Sequence, residues 1–254
     1  MTRSRWLTAG RPLNIAHRGA SAAAPPNTLA AFRRAAELGA DGIELDAHLS
    51  ADGAVVVIHD FTVDSTTDGS GRVAGMTLAA LKELDAGARF DPAFAGERIP
   101  TLEEVFAAVG RQLLINVELK TMSFQDSGLE RRVVELVERH GLAEWVLLSS
   151  FHPAAIRRAR RLAPHLPIGF LYETAPLSRL ARLLAALMPG LHPDAIHPHW
   201  TMVRPSVVHR AHRRGRRVVT WTVDEPDTMR RLTGWGVDAI ITNYPDRLRA
   251  VLGA

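Results

Sequence analysis

The chain has 254 residues, 46% of them hydrophobic, and a formal net charge of +4 from 31 Lys and Arg against 27 Asp and Glu. That length suits one large single-core domain. The absence of cysteine excludes a disulfide framework, thiolate catalysis and cysteine metal sites. The Arg runs lie in helical stretches with no interleaved aromatics, so they describe solvated helix faces and argue against a nucleic-acid partner.

In chain order, "MTRSRWLTAGRPLN" is basic but has no apolar run of the secretory type. No stretch of about 18 apolar residues follows anywhere, so no membrane anchor is expected and the cytoplasm is the expected location. "LNIAH" (13–17) reads as a strand ending abruptly in His17 and Arg18. "NTLAAFRRAAELGA" reads as a helix, with Asn27 or Thr28 as N-cap and Gly39 near its end. "GIELDAHLS" (42–50) is the second strand. Then comes a long segment, about 51–100, with a hairpin return "AVVVIHD", a Gly- and Asp-rich loop and a short helix.

Further strands are read at 113–120, 145–150, 167–172, 194–200, 217–223 and 238–243. Helices are read in "TLEEVFAAVG", "GLERRVVELVERHG", "HPAAIRRARRLA", "APLSRLARLLAALMPG", "RPSVVHRAHRRG", "EPDTMRRLTGWG" and "YPDRLRAVLGA". In the second of these, Leu129, Val133, Leu136 and Val137 share one face. Strands alternating with helices imply parallel pairing through right-handed crossovers. Eight such units in one domain predict an α/β fold of the (β/α)8 TIM-barrel type, with a small insertion after the second strand. An open doubly wound sheet is the rival, but no GxGxxG follows the first strand. On a barrel the insertion falls at the C-terminal face, where active sites sit.

Two strands carry charge where a parallel sheet is normally apolar. Alternation places Glu44, Asp46 and His48 on one face of the second strand, and Asn116, Glu118 and Lys120 on one face of the next. Buried carboxylates need compensation. Oxygen ligands without cysteine suit Mg²⁺, Mn²⁺ or Ca²⁺. His17 and His59, each at a strand end, suit general acid–base work, and Arg18 and Lys120 suit a phosphate. Trp221 is equally a packing residue or a wall for substrate. His197 and His199 are assigned a structural or supporting role.

These motifs resemble those of the glycerophosphodiester phosphodiesterase family of the bacterial cytosolic type. "AHRGASAAAPPNTLAAF", "GADGIELDAHLSADGAVVVIHD", "NVELK" and "WTVDEPDTMRRLTGWGVDAIITNYPD" occur in the family's order. The resemblance implies one divalent cation, Mg²⁺ or Ca²⁺ with Mn²⁺ as a third choice, on Glu44, Asp46 and Glu118. It implies His17 and His59 as the acid–base pair, Arg18 and Lys120 as phosphate contacts, and Trp221 on the alcohol side. The implied reaction is hydrolysis of a small glycerophosphodiester to an alcohol and sn-glycerol 3-phosphate. One departure stands out: the family's Pro-Glu-Asn-Thr is here Pro25-Pro26-Asn27-Thr28, which removes one carboxylate from the mouth. The alternatives are a lysophospholipase D-type lipid phosphodiesterase and a catalytically silent barrel that only binds a phosphate ligand.

Overall fold

The computed structural model describes residues 4–175, 178 and 192–253. Nine strands occur among them: β1 Leu13–His17, β2 Gly42–Leu49, β3 Val55–Val57, β4 Leu114–Leu119, β5 Val146–Ser150, β6 Ile168–Tyr172, β7 Ala195–Pro198, β8 Arg217–Thr220 and β9 Ala239–Thr242. Eight are parallel and follow one another around a ring. It closes because β1 pairs with both β9 and β2. β3 lies outside the ring, antiparallel to β2, with Val57 opposite Ala47. The barrel and the hairpin return both match the sequence expectation.

The described helices are α1 Arg5–Thr8, α2 Leu29–Glu37, α3 Leu78–Glu83, α4 Leu102–Val109, α5 Leu129–Arg139, α6 Pro153–Leu162, α7 Pro205–His212, α8 Pro226–Gly234 and α9 Pro245–Leu252. Most of the helix expected in "APLSRLARLLAALMPG" lies outside the described residues. Thr28 caps α2, its hydroxyl accepting from the Ala31 N–H. Asn27 is instead left-handed, with φ 61°. The apolar stripe of α5 is buried as its spacing predicts.

Strand alternation sorts the side chains into two shells. Ile43, Leu45 and Ala47 of β2 point outward and pack with Phe32, Leu102, Val105 and Phe106 of α2 and α4. Leu13, Ile15, Leu114, Leu147, Val219 and Ile241 fill the lower interior. α1, which the sequence reading left without an element, closes that end. Its Trp6 is buried against the interior residues and donates its indole N–H to the Trp145 carbonyl at 2.9 Å.

Between β2 and α4 the chain builds a small satellite with its own apolar cluster of Val56, Ile58, Val63, Val73, Leu81, Ala86 and Ile99. The Asp85 carboxylate ties it together by accepting from the N–H groups of Gly87, Ala88 and Gly96. The Ile58 N–H donates to the Asp46 carbonyl at 3.0 Å. That bond brings His59, the next residue, to the mouth of the barrel.

Candidate active site

The upper interior of the barrel is charged. Asp46 on β2 stands in register with Glu118 on β4, and Glu44 lies one inward step lower. These three carboxylates each offer an oxygen within 4.8 Å of the others. Glu44, Asp46 and Glu118 are only 4%, 1% and 8% exposed, so water does little to separate their charges. Lys120, just past β4, answers part of this charge. Its ammonium lies 3.0 Å from Glu118 Oε1 and 3.3 Å from Asp46 Oδ1.

Arg18 answers more of it. Its Nε lies 3.4 Å from Asp46 Oδ2, and its backbone N–H donates to Glu44 Oε2 at 3.1 Å. The second bond requires the left-handed turn after β1, where Arg18 has φ 54° and Gly19 φ 82°. A Cβ on Gly19 would come within 2.6–2.8 Å of Ala31, so only glycine fits there. Asn27 completes the shell: its Nδ2 donates to Asp46 Oδ2 at 2.9 Å.

The titration behaviour follows from this arrangement. Burial, reinforced by Asp46 and Glu118, pushes the Glu44 carboxyl well above its ordinary value. Burial also raises Glu118, although Lys120 works against it. At Asp46 burial is outweighed by Lys120 and Arg18, which hold its carboxyl below the usual range. Two of three carboxyls are thus held less acidic than usual under the local cations alone. A divalent cation among hard oxygen donors would relieve that frustration, so the residues present fit a metal. His48 shares their face but does not join them. Its Nε2–H donates to the His59 carbonyl at 3.2 Å, and its ring lies edge-on to Phe61.

The two histidines are held in the same manner by different partners. The Asn243 amide N–H donates to Asp224 Oδ2 at 2.7 Å, which turns Asn243 Oδ1 toward His17 Nδ1, also at 2.7 Å. His17 therefore carries its proton on Nδ1 and keeps a lone pair on Nε2, 4.0 Å from Glu44 Oε2. Burial, then the Arg18 charge, lowers its pKa to about 4. His59 Nδ1–H donates to Asp60 Oδ1 at 2.6 Å, and Asp60 accepts from the Ser65 hydroxyl. Burial again lowers the pKa of His59. Both imidazoles are thus neutral near pH 7, with Nδ1 tied back.

A cavity of about 280 Å³ joins these groups; His17, Arg18, Glu44, His59, Glu118, Lys120 and Trp221 all line it. The Trp221 indole N–H donates to the His197 carbonyl at 2.8 Å, and its ring packs edge-on to Phe151 and His199. His197 and His199 part company. His197 is buried beside Gly169, and its two ring nitrogens have no partner among the described residues. His199 bonds Thr201 Oγ1 at the rim. Pro26 lines a small recess beside Arg18 and His59. The adjacent Asn27 binds Asp46 without any help from a carboxylate at position 26.

Residues 17–247 match the model of the glycerophosphoryl diester phosphodiesterase family. The chain belongs to this family. A glycerophosphodiester phosphodiesterase of Caldanaerobacter subterraneus subsp. tengcongensis is 43% identical over 239 residues, covering 94% of this chain and 96% of that one. A Bacillus subtilis glycerophosphodiester phosphodiesterase is 31% identical over 98% of this chain and 89% of its own. Among solved structures, an Oleispira antarctica phosphodiesterase in complex with the product sn-glycerol 3-phosphate superposes with a TM-score of 0.85. It is 30% identical, over 96% of this chain and 98% of that one.

Of the eight residues singled out by sequence, His17, Arg18, Glu44, His59, Glu118, Lys120 and Trp221 line this one cavity, and Asp46 pairs with Arg18 and Lys120 behind it. Sequence reasoning missed Asn243 and Asp224 behind His17, and it took Asn27 only for a cap. β9 neighbours β1 in a closed ring. A residue just past β9 must therefore stand beside the end of β1, and that topological signal was available for Asn243.

Proposed function

We propose that this family member hydrolyses glycerophosphodiesters to sn-glycerol 3-phosphate and an alcohol in this cavity. The observation that carries the reading is the convergence of three buried carboxylates, two cations and two neutral imidazoles on one space. Glu44, Asp46 and Glu118 would hold the metal, with Mg²⁺ or Ca²⁺ the ion expected and Mn²⁺ a third choice. When bound, it supplies Lewis acidity toward a phosphoryl oxygen.

The chain's own groups do the rest. Arg18 and Lys120 face the non-bridging phosphoryl oxygens and offset the charge that gathers there in the transition state. His17 Nε2 accepts the proton of the attacking hydroxyl, from water or the glycerol 2-OH. His59, once it has taken up a solvent proton on Nε2 and become an imidazolium, gives that proton to the departing alkoxide. This assignment follows from what stands behind each ring. The Asp60 carboxylate favours an imidazolium at His59, whereas the neutral Asn243 carboxamide does nothing comparable for His17. A barrel that only bound phosphate would have no use for either free Nε2.

The test is release of sn-glycerol 3-phosphate from glycerophosphocholine by EDTA-stripped protein, with Mg²⁺, Ca²⁺ or Mn²⁺ restored. Metal-dependent release is expected, and His17→Ala or His59→Ala should abolish it without unfolding the chain. A folded protein inactive with every ion would defeat the reading. One observation favours a lipid substrate as second choice: Met122 and Phe124, on the loop after β4, are 76% and 62% exposed. Faster choline release from micellar lysophosphatidylcholine than from glycerophosphocholine would promote it. A cytoplasmic setting belongs to the same proposal. No helix among the described residues is long and apolar enough to cross a membrane.

A further inference from the structure

The cavity has a second wall with its own chemistry. β6 stands across the ring from β1, and Glu173 follows it directly. Glu173 lines the same cavity as the catalytic groups, together with Trp221 and Phe151. Apart from Glu44 and Glu118, it is the only carboxylate among the described residues that line the cavity. Its backbone N–H donates to Ser178 Oγ at 2.7 Å. Its carboxylate has no hydrogen bond or ion pair among the described residues, although it is half-buried.

The neighbouring rings are fixed. The Trp221 indole is anchored by its N–H, with Phe151 at 5.4 Å and 86° and His199 at 5.2 Å and 78°. His199 feels the Glu173 charge, which works against the lowering of its pKa by burial. An unpaired carboxylate beside aromatic rings in a cavity is the chemistry that receives an organic cation. Arg18, after β1, faces Glu173 from the opposite wall, and Lys120, after β4, lies two strands from β6; a substrate whose phosphate meets these cations meets negative charge at its other end.

We propose that Glu173, with Trp221 and Phe151, is the specificity-determining site for the alcohol half of the substrate and selects diesters with an ammonium or quaternary ammonium head group. This rests on the phosphodiesterase reading of the same cavity. A neutral head group gains nothing from Glu173, and an anionic one is repelled.

The experiment compares kcat/KM for glycerophosphocholine and glycerophosphoglycerol in the wild type, Glu173→Gln and Glu173→Asp. The choline-to-glycerol ratio should exceed one in the wild type and fall by about three- to tenfold in Glu173→Gln, the loss carried by KM. Glu173→Asp should keep part of the preference, and added salt should lower the wild-type ratio toward that of Glu173→Gln. An unchanged ratio in Glu173→Gln, or a wild type that prefers the glycerol head group, would overturn the inference. Choline alone gives a readout independent of turnover: it should raise the Tm of the wild type more than that of Glu173→Gln. A wild type inactive on every glycerophosphodiester defeats the underlying reading. In that case an equal choline shift in both proteins defeats this one too, whereas a shift that needs Glu173 sustains the cation site by itself.

Discussion

Asn243→Leu isolates what positions His17. The substitution keeps the volume but removes both the acceptor for His17 Nδ1–H and the donor to Asp224. His17 is largely buried, so its Nδ1–H is left facing an apolar group. A buried donor without a partner costs about 1–3 kcal/mol. The ring escapes that cost by rotating or by moving its proton to Nε2, and either change removes the lone pair from the reacting atoms. At 1.36 kcal/mol per decade, that cost corresponds to a loss of about 5- to 150-fold in kcat. KM should stay near the wild-type value, because Asn243 does not line the cavity beside Arg18 and Lys120. The assay is steady-state release of sn-glycerol 3-phosphate at saturating metal, with Tm measured on the same preparations. Asp224→Asn weakens the same chain one step further back and should cost less. A folded Asn243→Leu protein with kcat within twofold of wild type would refute the positioning argument.

Glu130 and Arg158 form a buried ion pair at 2.8 Å, and Arg158 also donates to the Phe124 carbonyl. Glu130→Ala leaves the guanidinium buried and uncompensated, so denaturation should show a loss of about 3–5 kcal/mol. Replacing both partners by Leu and Met should recover most of it; a double variant as unstable as the single one contradicts this account. His197 sets an acid limit on stability. Burial lowers its pKa to about 3 against 6.5 for the free group, so the native state holds the ring neutral while the unfolded chain takes up a proton below pH 6.5. Its contribution is complete above pH 6.5 and is lost at up to about 1.4 kcal/mol per pH unit as pH falls from 6.5 toward 3. Chemical denaturation in EDTA across pH 4–7 should give a shallower decline for His197→Asn than for wild type; parallel curves would remove His197 from the account.

The barrel was legible because each strand begins or ends within a residue or three of an apolar run, and each run is followed by an amphipathic stretch. The carboxylates were legible because alternation on β2 and β4 puts charge where a parallel strand should be apolar. What escaped was contact between segments distant in sequence. Asp224 and Asn243 are 19 residues apart, and nothing in either local pattern marks them as partners of His17. Trp6 escaped for another reason. Four residues are too few to show a helical period, and the value of its indole lies in the barrel floor it covers. Asn27 was readable as a helix start, but its left-handed backbone diverts its side chain to Asp46 and leaves the capping to Thr28.

The two halves of the barrel interior divide stability from chemistry. Below, Trp6, Ile15, Leu114, Leu147 and Ile241 pack without charge. Above, Glu44, Asp46 and Glu118 are buried at a cost that Lys120 and Arg18 offset only in part, and Asn116, Ser149 and His197 have interior polar atoms without a partner among the described residues. Such an upper layer weakens the fold, and its retention makes sense only if the polar groups serve a ligand. The outward faces of the same strands compensate: Ile43, Leu45, Ile115, Val117 and Leu148 join one continuous core with the helices. Neutralising Glu44 or Glu118, whose carboxyls are held above their ordinary range, should therefore relieve repulsion and leave this outer core intact. Loss of turnover in such variants then reports on chemistry and not on unfolding.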